Sequence, residues 1–180
     1  MWNSIAAQIS RATHSDFQII ERRSIGGGSI NQAYALSGST GSATQSGKTQ
    51  TYFVKLNQAS QMSMFEVEFL VLQQMAASQT IRVPQPICYG MAESSAYIVL
   101  EWLELGYGNA PAWEKMGYHL AALHRVTSEQ GFGWDRNNTI GSTPQNNPWT
   151  EDWINFFTTH RLGYQFQLAS RRGGRFPQQD

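Results

Sequence analysis

The chain is poor in cysteine and proline and carries no excess of charge of either sign. One cysteine in 180 residues, Cys88, excludes an internal disulfide and a cysteine-built metal site. Thirteen basic residues balance thirteen acidic ones, so neither nucleic acid nor a membrane surface is expected as a main partner. Although hydrophobic residues make up 41%, no apolar run approaches the length of a membrane span. The opening "MWNSIAAQIS" has no basic stretch followed by an apolar block, so no signal peptide is expected. Together these absences predict a cytoplasmic protein, long enough for one domain with a core.

Trp2, Ile5, Ala6 and Ile9 recur at helical spacing and predict a short amphipathic helix over residues 2 to 12. "DFQIIERRSI" and "INQAYALS" read as strands, the second with Ile30, Gln32, Tyr34 and Leu36 on one face. Residues 37 to 48, with four serines and three glycines, read as a hairpin loop. "TYFVKLN" is a third strand, with Phe53 and Lys55 on one face and Tyr52 and Val54 on the other. "MFEVEFLVLQQMAA" reads as a helix striped by Phe65, Phe69, Leu72 and Met75/Ala76, ended before Pro84 and Pro86. "ICYGMAESSAYIVLEWL" then reads as two strands around a turn.

After residue 105 the character changes. "GYGNAPA" reads as a linker, and "WEKMGYHLAALHRV" as a helix with Met116, Leu120 and Leu123 inward. "GFGWDRNNTIGSTPQNNP" reads as irregular. "WTEDWINFFTTHRLGYQFQLASR" reads as one helix with Thr150 as N-cap, Glu151 and Asp152 in its first turn, and a stripe of Trp149, Trp153, Phe156/Phe157, His160, Tyr164 and Leu168. The tail "RRGGRFPQQD" is polar and rich in breakers.

"SIGGGSIN" places three glycines between two strands. A dinucleotide fold would need a helix after the glycines, and a strand follows instead. Two readings remain for the run alone: a tight hairpin, or a lid that lays its backbone on a phosphate. The full G-x-G-x-x-G pattern is not met, because Asn31 stands at the last glycine position. A phosphate lid calls for a lysine in the next strand and a helical carboxylate to hold it. Lys55 lies in "FVKLN", and "MFEVEF" offers Glu66 and Glu68, with Glu68 nearer the apolar stripe. An ammonium in an apolar strand calls for an anion beside it; an edge-strand gatekeeper is the other reading of Lys55. "YIVLEWLEL" reads as the hinge between two lobes, with backbone groups near Glu101 and Leu103 open to adenine.

Taken together, "GGGSIN", "FVKLN", "MFEVE", "VPQPI", "LAALHR", "GFG…NNTIGSTPQNN" and "DWINFFTTHRL" resemble the fructosamine/ketosamine-3-kinases, relatives of the aminoglycoside and choline kinases. The resemblance implies a protein-kinase-like α+β fold: an N-terminal helix over 1–14, an antiparallel-sheet N-lobe with one packed helix over 15–104, and a partial helical C-lobe over 105–180. It implies ATP and Mg2+ as cofactors and glycated amines or glycated proteins as substrates. The sugar's 3-hydroxyl would be phosphorylated and the sugar then shed. Carried across, Gly26, Gly27, Gly28, Ser29 and Ile30 would form the lid, Lys55 and Glu68 the ion pair, and Glu101, Trp102 and Leu103 the nucleotide-binding hinge. Many members carry a redox-sensitive cysteine where this chain has Ser29.

The family's "HGDLWxGN"-like catalytic motif and its later "DP" motif do not occur in these residues. The chain is therefore expected to stop before the catalytic aspartate and the metal ligands. It would be the nucleotide half of a kinase, and the alternatives are an aminoglycoside- or choline-type kinase or a truncated, non-catalytic nucleotide-binding module. Asp135, Asp152 and Asp180 each lack the surrounding motif, and His124 reads as a packing or capping residue. His119 and His124 lie five apart, on different helix faces, which argues against a zinc pair. The Trp149–Phe157 aromatics read as core from their spacing, or as a sugar-stacking platform. Asn137, Asn138, Gln145 and Asn146 read as contacts to a sugar or protein substrate, or as ordinary turn formers.

Overall fold

A computed structural model describes residues 1–41 and 48–174. The chain divides into two compact units, Met1–Val126 and Thr127–Asp180, each described by itself below.

The first unit is built on a five-stranded antiparallel sheet in the order β1-β2-β3-β5-β4. The strands are β1 (Phe17–Ile25), β2 (Gln32–Thr40), β3 (Lys48–Gln58), β4 (Pro86–Ala92) and β5 (Ser95–Glu101). Helix α1 (Trp2–Thr13) precedes them, and α2 (Met62–Ala77) connects β3 to β4. This is the element order that the alternating and helical spacings predict.

Each helix covers one face of the sheet. Ile5, Ala6 and Ile9 of α1 join Leu36, Tyr52, Val54, Leu56, Tyr97 and Val99 in one core. Phe65 of α2 joins Ala96, Ile98 and Leu100 in the other, with Phe53, Phe69 and Leu72 packed alongside. Strand β5 supplies both cores by simple alternation, which is why "AYIVL" is apolar at every position.

Within the expected loop over 37 to 48, residues 37–40 and 48 are strand. Ser37 pairs with Thr51 and Thr40 with Lys48, and the Ser37 and Thr51 hydroxyls lie 2.9 Å apart. Gly38 serves packing here: a Cβ on it would stand 2.6 Å from the Phe17 ring. The remaining loop positions, 42–47, lie outside the described residues, as do Asp180 and most of the breaker-rich tail.

Helix α3 (Ala110–Leu123) starts three residues before the expected Trp113, because Asn109 caps it by accepting from Ala112 N at 2.9 Å and Pro111 sits in its first turn. It belongs to the first compact unit, although the segment from 105 onward was expected with the helical lobe. His119 Nδ1 donates to Thr80 O at 2.6 Å and holds it there. That contact turns His119 and Leu123 toward the unit, so Met116 (50% exposed) and Leu120 (38%) do not point inward as their spacing suggests.

In the second unit, Asn138–Ile140 (β6) and Thr143–Gln145 (β7) form a small hairpin within the stretch expected to be irregular. The expected single helix is three pieces: α4 (Trp153–Phe157), a π-helical turn (Thr158–Gly163) and α5 (Tyr164–Arg171). Asp152 is the N-cap, accepting from Asn155 N at 2.6 Å, whereas Thr150 pairs with Phe132 in a β-bridge. Thr158 bonds back to Ile154 O at 2.6 Å, and a Cβ on Gly163 would stand 2.8 Å from Thr158 O, so only glycine admits this wide turn. The reading of the aromatic stripe as core holds for Phe156 alone among its large aromatics: Trp149 lies outside the helix, which begins only at Trp153. Trp153 is 49% exposed.

Phe65 is fully enclosed at the centre of the α2-side core. Phe65→Ala is expected to cost about 3–5 kcal/mol, read as a lowered urea midpoint at unchanged slope. A loss below 1 kcal/mol would show that α2 is not fastened through this residue.

Candidate functional site

Strand β3 alternates, so Phe53, Lys55 and Asn57 share the α2 face while Tyr52, Val54 and Leu56 enter the α1-side core. Lys55 Nζ meets Glu68 Oε1 at 2.5 Å, with both side chains about one quarter exposed (26% and 27%). Glu68, one position before Phe69 on α2, is the partner its place on the helix suggests. Removing an ammonium from water in an apolar strand is costly, and the carboxylate offsets it while leaving the remaining Nζ protons free to donate.

The glycines form one wall of a recess of about 480 Å³ over this lysine. Gly26, Gly27, Gly28, Ser29, Ile30 and Lys55 all line it, with Phe53 and Ala33 on its floor. Gly27 sits at φ 104°, which side chains avoid, and a Cβ on Gly28 would crowd Asn31 O at 3.0 Å. Beside Gly26 and Gly27 there is open space within 4 Å, so the backbone can be approached closely from the recess.

Asn31, the departure from the full glycine pattern, has a structural partner. Asn57 Nδ2 donates to Asn31 Oδ1 at 2.6 Å and to Ile30 O at 3.2 Å, while Asn57 Oδ1 accepts from Gln58 N at 2.7 Å. The glycine segment is thus clamped to β3 two residues from Lys55. Sequence reasoning missed Asn57; its place at i+2 from Lys55, on the same face, was the available signal.

The hinge residues separate into different roles. Of the backbone groups expected to be open near Glu101 and Leu103, the Glu101 N–H is bonded to Gln85 O at 2.8 Å. Its carboxylate holds Arg82 at 2.5 Å and accepts from Gln85 N at 3.1 Å, and the hydrogen bond from Arg82 keeps this carboxyl below the usual carboxylate range. Trp102 faces Phe53 with ring centroids 6.4 Å apart and lies under Arg23 at 5.9 Å, which ties the segment to the recess floor. Leu103 follows, half-buried, outside the recess lining.

A second cavity, about 670 Å³, opens on the α1 side around Trp2, Arg22 and Tyr34. There Trp2 meets Tyr34 edge-on at 5.0 Å and Arg22 stacks on Trp2 at 5.1 Å, so these side chains largely satisfy one another. Among the described residues no group of three His, Cys, Asp or Glu side chains is placed to hold a metal ion.

The sheet with its covering helices thus brings a lysine–glutamate pair and a glycine segment to one recess. On comparison with known proteins, the family model described as fructosamine kinase matches residues 1–180. The chain belongs to the fructosamine kinase family. It is 54% identical over 176 residues to a probable ketoamine kinase of Synechocystis sp., covering 98% of this chain and 57% of that protein. It is 40% identical over 153 residues to a chloroplastic protein-ribulosamine 3-kinase of Oryza sativa subsp. indica, covering 84% of this chain and 42% of that protein. A crystal structure from Haemophilus somnus 129PT, assigned as a fructosamine-3-kinase, superposes with a TM-score of 0.85 at 25% identity, covering 99% of this chain and 57% of that one. The fold is accordingly protein-kinase-like. The chain spans 57% of the Synechocystis and Haemophilus proteins and 42% of the Oryza protein. No helix among the described residues is long and apolar enough to cross a membrane.

Cys88 lies on the α1 side of the sheet, away from the recess, and burial pushes its thiol up to about 12. With Ser29 in the glycine segment, the recess has no thiol of its own. At pH 8 roughly one Cys88 in 10,000 is then a thiolate. The native protein is expected to resist iodoacetamide and the urea-unfolded chain to react normally, followed by mass spectrometry; equal rates would contradict this protection.

Asn57→Ala removes the clamp and is expected to accelerate amide exchange across residues 26–31 by about tenfold, equivalent to roughly 1.4 kcal/mol. Exchange in β3 itself should be unchanged. Unaltered exchange in the glycine segment would mean that it is held by its own backbone.

Proposed function

We propose that this chain carries the nucleotide-binding half of an ATP-dependent ketosamine 3-kinase. The observation that carries the reading is the Lys55–Glu68 ion pair at the floor of a glycine-walled recess. Bound ATP, with Mg2+, supplies the phosphoryl group that passes to the 3-hydroxyl of a sugar attached to an amine. The substrates are glycated amines or glycated proteins, in keeping with the ribulosamine kinases among the relatives. Loss of the sugar after phosphorylation makes the reaction a deglycation repair. We place it in the cytoplasm, where a free thiol such as Cys88 stays reduced.

The chain's own residues have distinct tasks in this reading. Gly26, Gly27, Gly28, Ser29 and Ile30 offer backbone N–H groups to phosphate oxygens, at a distance that only glycines permit. Lys55 neutralises developing negative charge, and Glu68 keeps its ammonium aimed at the recess. Glu101 shapes the hinge through Arg82 and Gln85, leaving adenine to Trp102 and Leu103.

The test is calorimetric titration of ATP against wild type, Lys55→Met and Glu68→Gln. Lys55→Met keeps much of the stem's volume, so folding should change little while ATP binding weakens by about 1.5–3 kcal/mol. Glu68→Gln should weaken it by less, because the ammonium is misaimed rather than lost. ATP binding of equal strength in wild type and Lys55→Met would overturn the assignment of the recess.

A further inference from the structure

The second unit spends its buried polar interactions on organising one loop. Asn147 is 4% exposed and fully engaged: its N–H donates to Asn137 Oδ1 at 2.9 Å, and its Nδ2 to Arg136 O and Asn138 Oδ1, both at 2.9 Å. Its Oδ1 accepts from Arg161 Nη2 at 2.5 Å, while Arg161 Nη1 donates to Asn146 O at 2.8 Å. Arg161 comes from the π turn and stacks on Phe156 at 4.5 Å, so the wide turn is what delivers it to the loop. Asn-rich loops in general need no such frame.

What the frame holds open is a recess of about 660 Å³. Trp134, Trp149 and His160 line it as half-buried rings, and Asp135, Asn137 and Asn146 line it as exposed polar groups, with Arg136 beside them. The carboxylate is aimed in advance: Trp149 Nε1 donates to Asp135 Oδ1 at 3.1 Å, leaving Oδ2 for another partner. Indole faces suit the C–H surface of a sugar, and amides suit hydroxyls because each both donates and accepts. A carboxylate pairs with two hydroxyls or with an ammonium, and it disfavours a phosphate.

We propose that this recess is a carbohydrate-binding site that takes the polyhydroxylated part of a glycated amine, with Asp135 meeting its hydroxyls or its protonated amine. That the ligand is a glycated amine rests on the ketosamine kinase reading; that it is a sugar rests on the recess. The stretch from Gly131 to Pro148, ordinary by composition, then carries substrate recognition. Asn146 becomes its contact and Asn137 joins it through its amide nitrogen, while the Oδ1 atoms of Asn137 and Asn138 serve the frame.

The experiment titrates Nα-acetyl-fructosyl-lysine into the 180-residue chain, followed by calorimetry and by saturation-transfer NMR, with Nα-acetyl-lysine and adenosine as comparisons. Fructosyl-lysine should bind, and the two comparison ligands at least tenfold more weakly. Asp135→Asn, which keeps an acceptor for Trp149, should weaken binding at least tenfold, and Asn146→Ala, at the exposed rim, at least threefold. Lys55→Met should leave sugar binding unchanged, so loss of ATP binding alone strikes the kinase reading and loss of sugar binding alone strikes this site. No binding of fructosyl-lysine by the wild type, equal binding of adenosine, or binding unaltered in both rim variants would overturn the proposal. If Asp135→Asn failed to fold, Asn146→Ala alone would decide.

Discussion

The alternation of β3 is the constraint from which the first unit follows. Successive side chains leave a strand on opposite faces, so one run of residues must satisfy two environments. Tyr52, Val54 and Leu56 close a core with α1, and between them Phe53, Lys55 and Asn57 build a site beneath the glycines. A slip of one residue in register would bury the ammonium and expose the core. The long pairing of β3 with both β2 and β5 guards against it.

The same face explains why this chain departs from the full glycine pattern. A third spaced glycine would leave the segment free at its far end. Asn31 exchanges that freedom for a side-chain bridge to Asn57, and β3 then carries both the charge and the anchor for the segment above it. At the end of β5 Glu101 serves a related purpose: its backbone and carboxylate together fasten the β5 exit to the approach to β4.

What could be read from the sequence was whatever depends on local period and order. The strand, strand, strand, helix, strand, strand sequence, the choice of Glu68 and the assembly of glycines with Lys55 all rest on spacing, and all recur in the structure. What escaped depends on partners distant in the chain. Met116 and Leu120 look inward until Thr80 captures His119 and sets the rotation of α3. Thr150 looks like a cap until Phe132 pairs with it, which leaves Trp149 outside the helix that its place in the aromatic stripe suggests. The hydrogen bond from Glu101 N–H to Gln85 O, across 16 positions, is equally invisible to local spacing. A buried Asn147 joined to Arg161 across 14 positions leaves no local trace at all.

The glycine segment is pinned at both ends, by the Ile25–Ala33 ladder pair and by the asparagine bridge. A strap fixed at two points can bow toward what lies beneath it, but it cannot swing away. Most of the ordering that a loose loop would undergo on closing over a ligand has therefore been completed during folding. If the segment holds the proposed nucleotide, a change at the pins, Asn31 or Asn57, would alter its hold without touching the ligand.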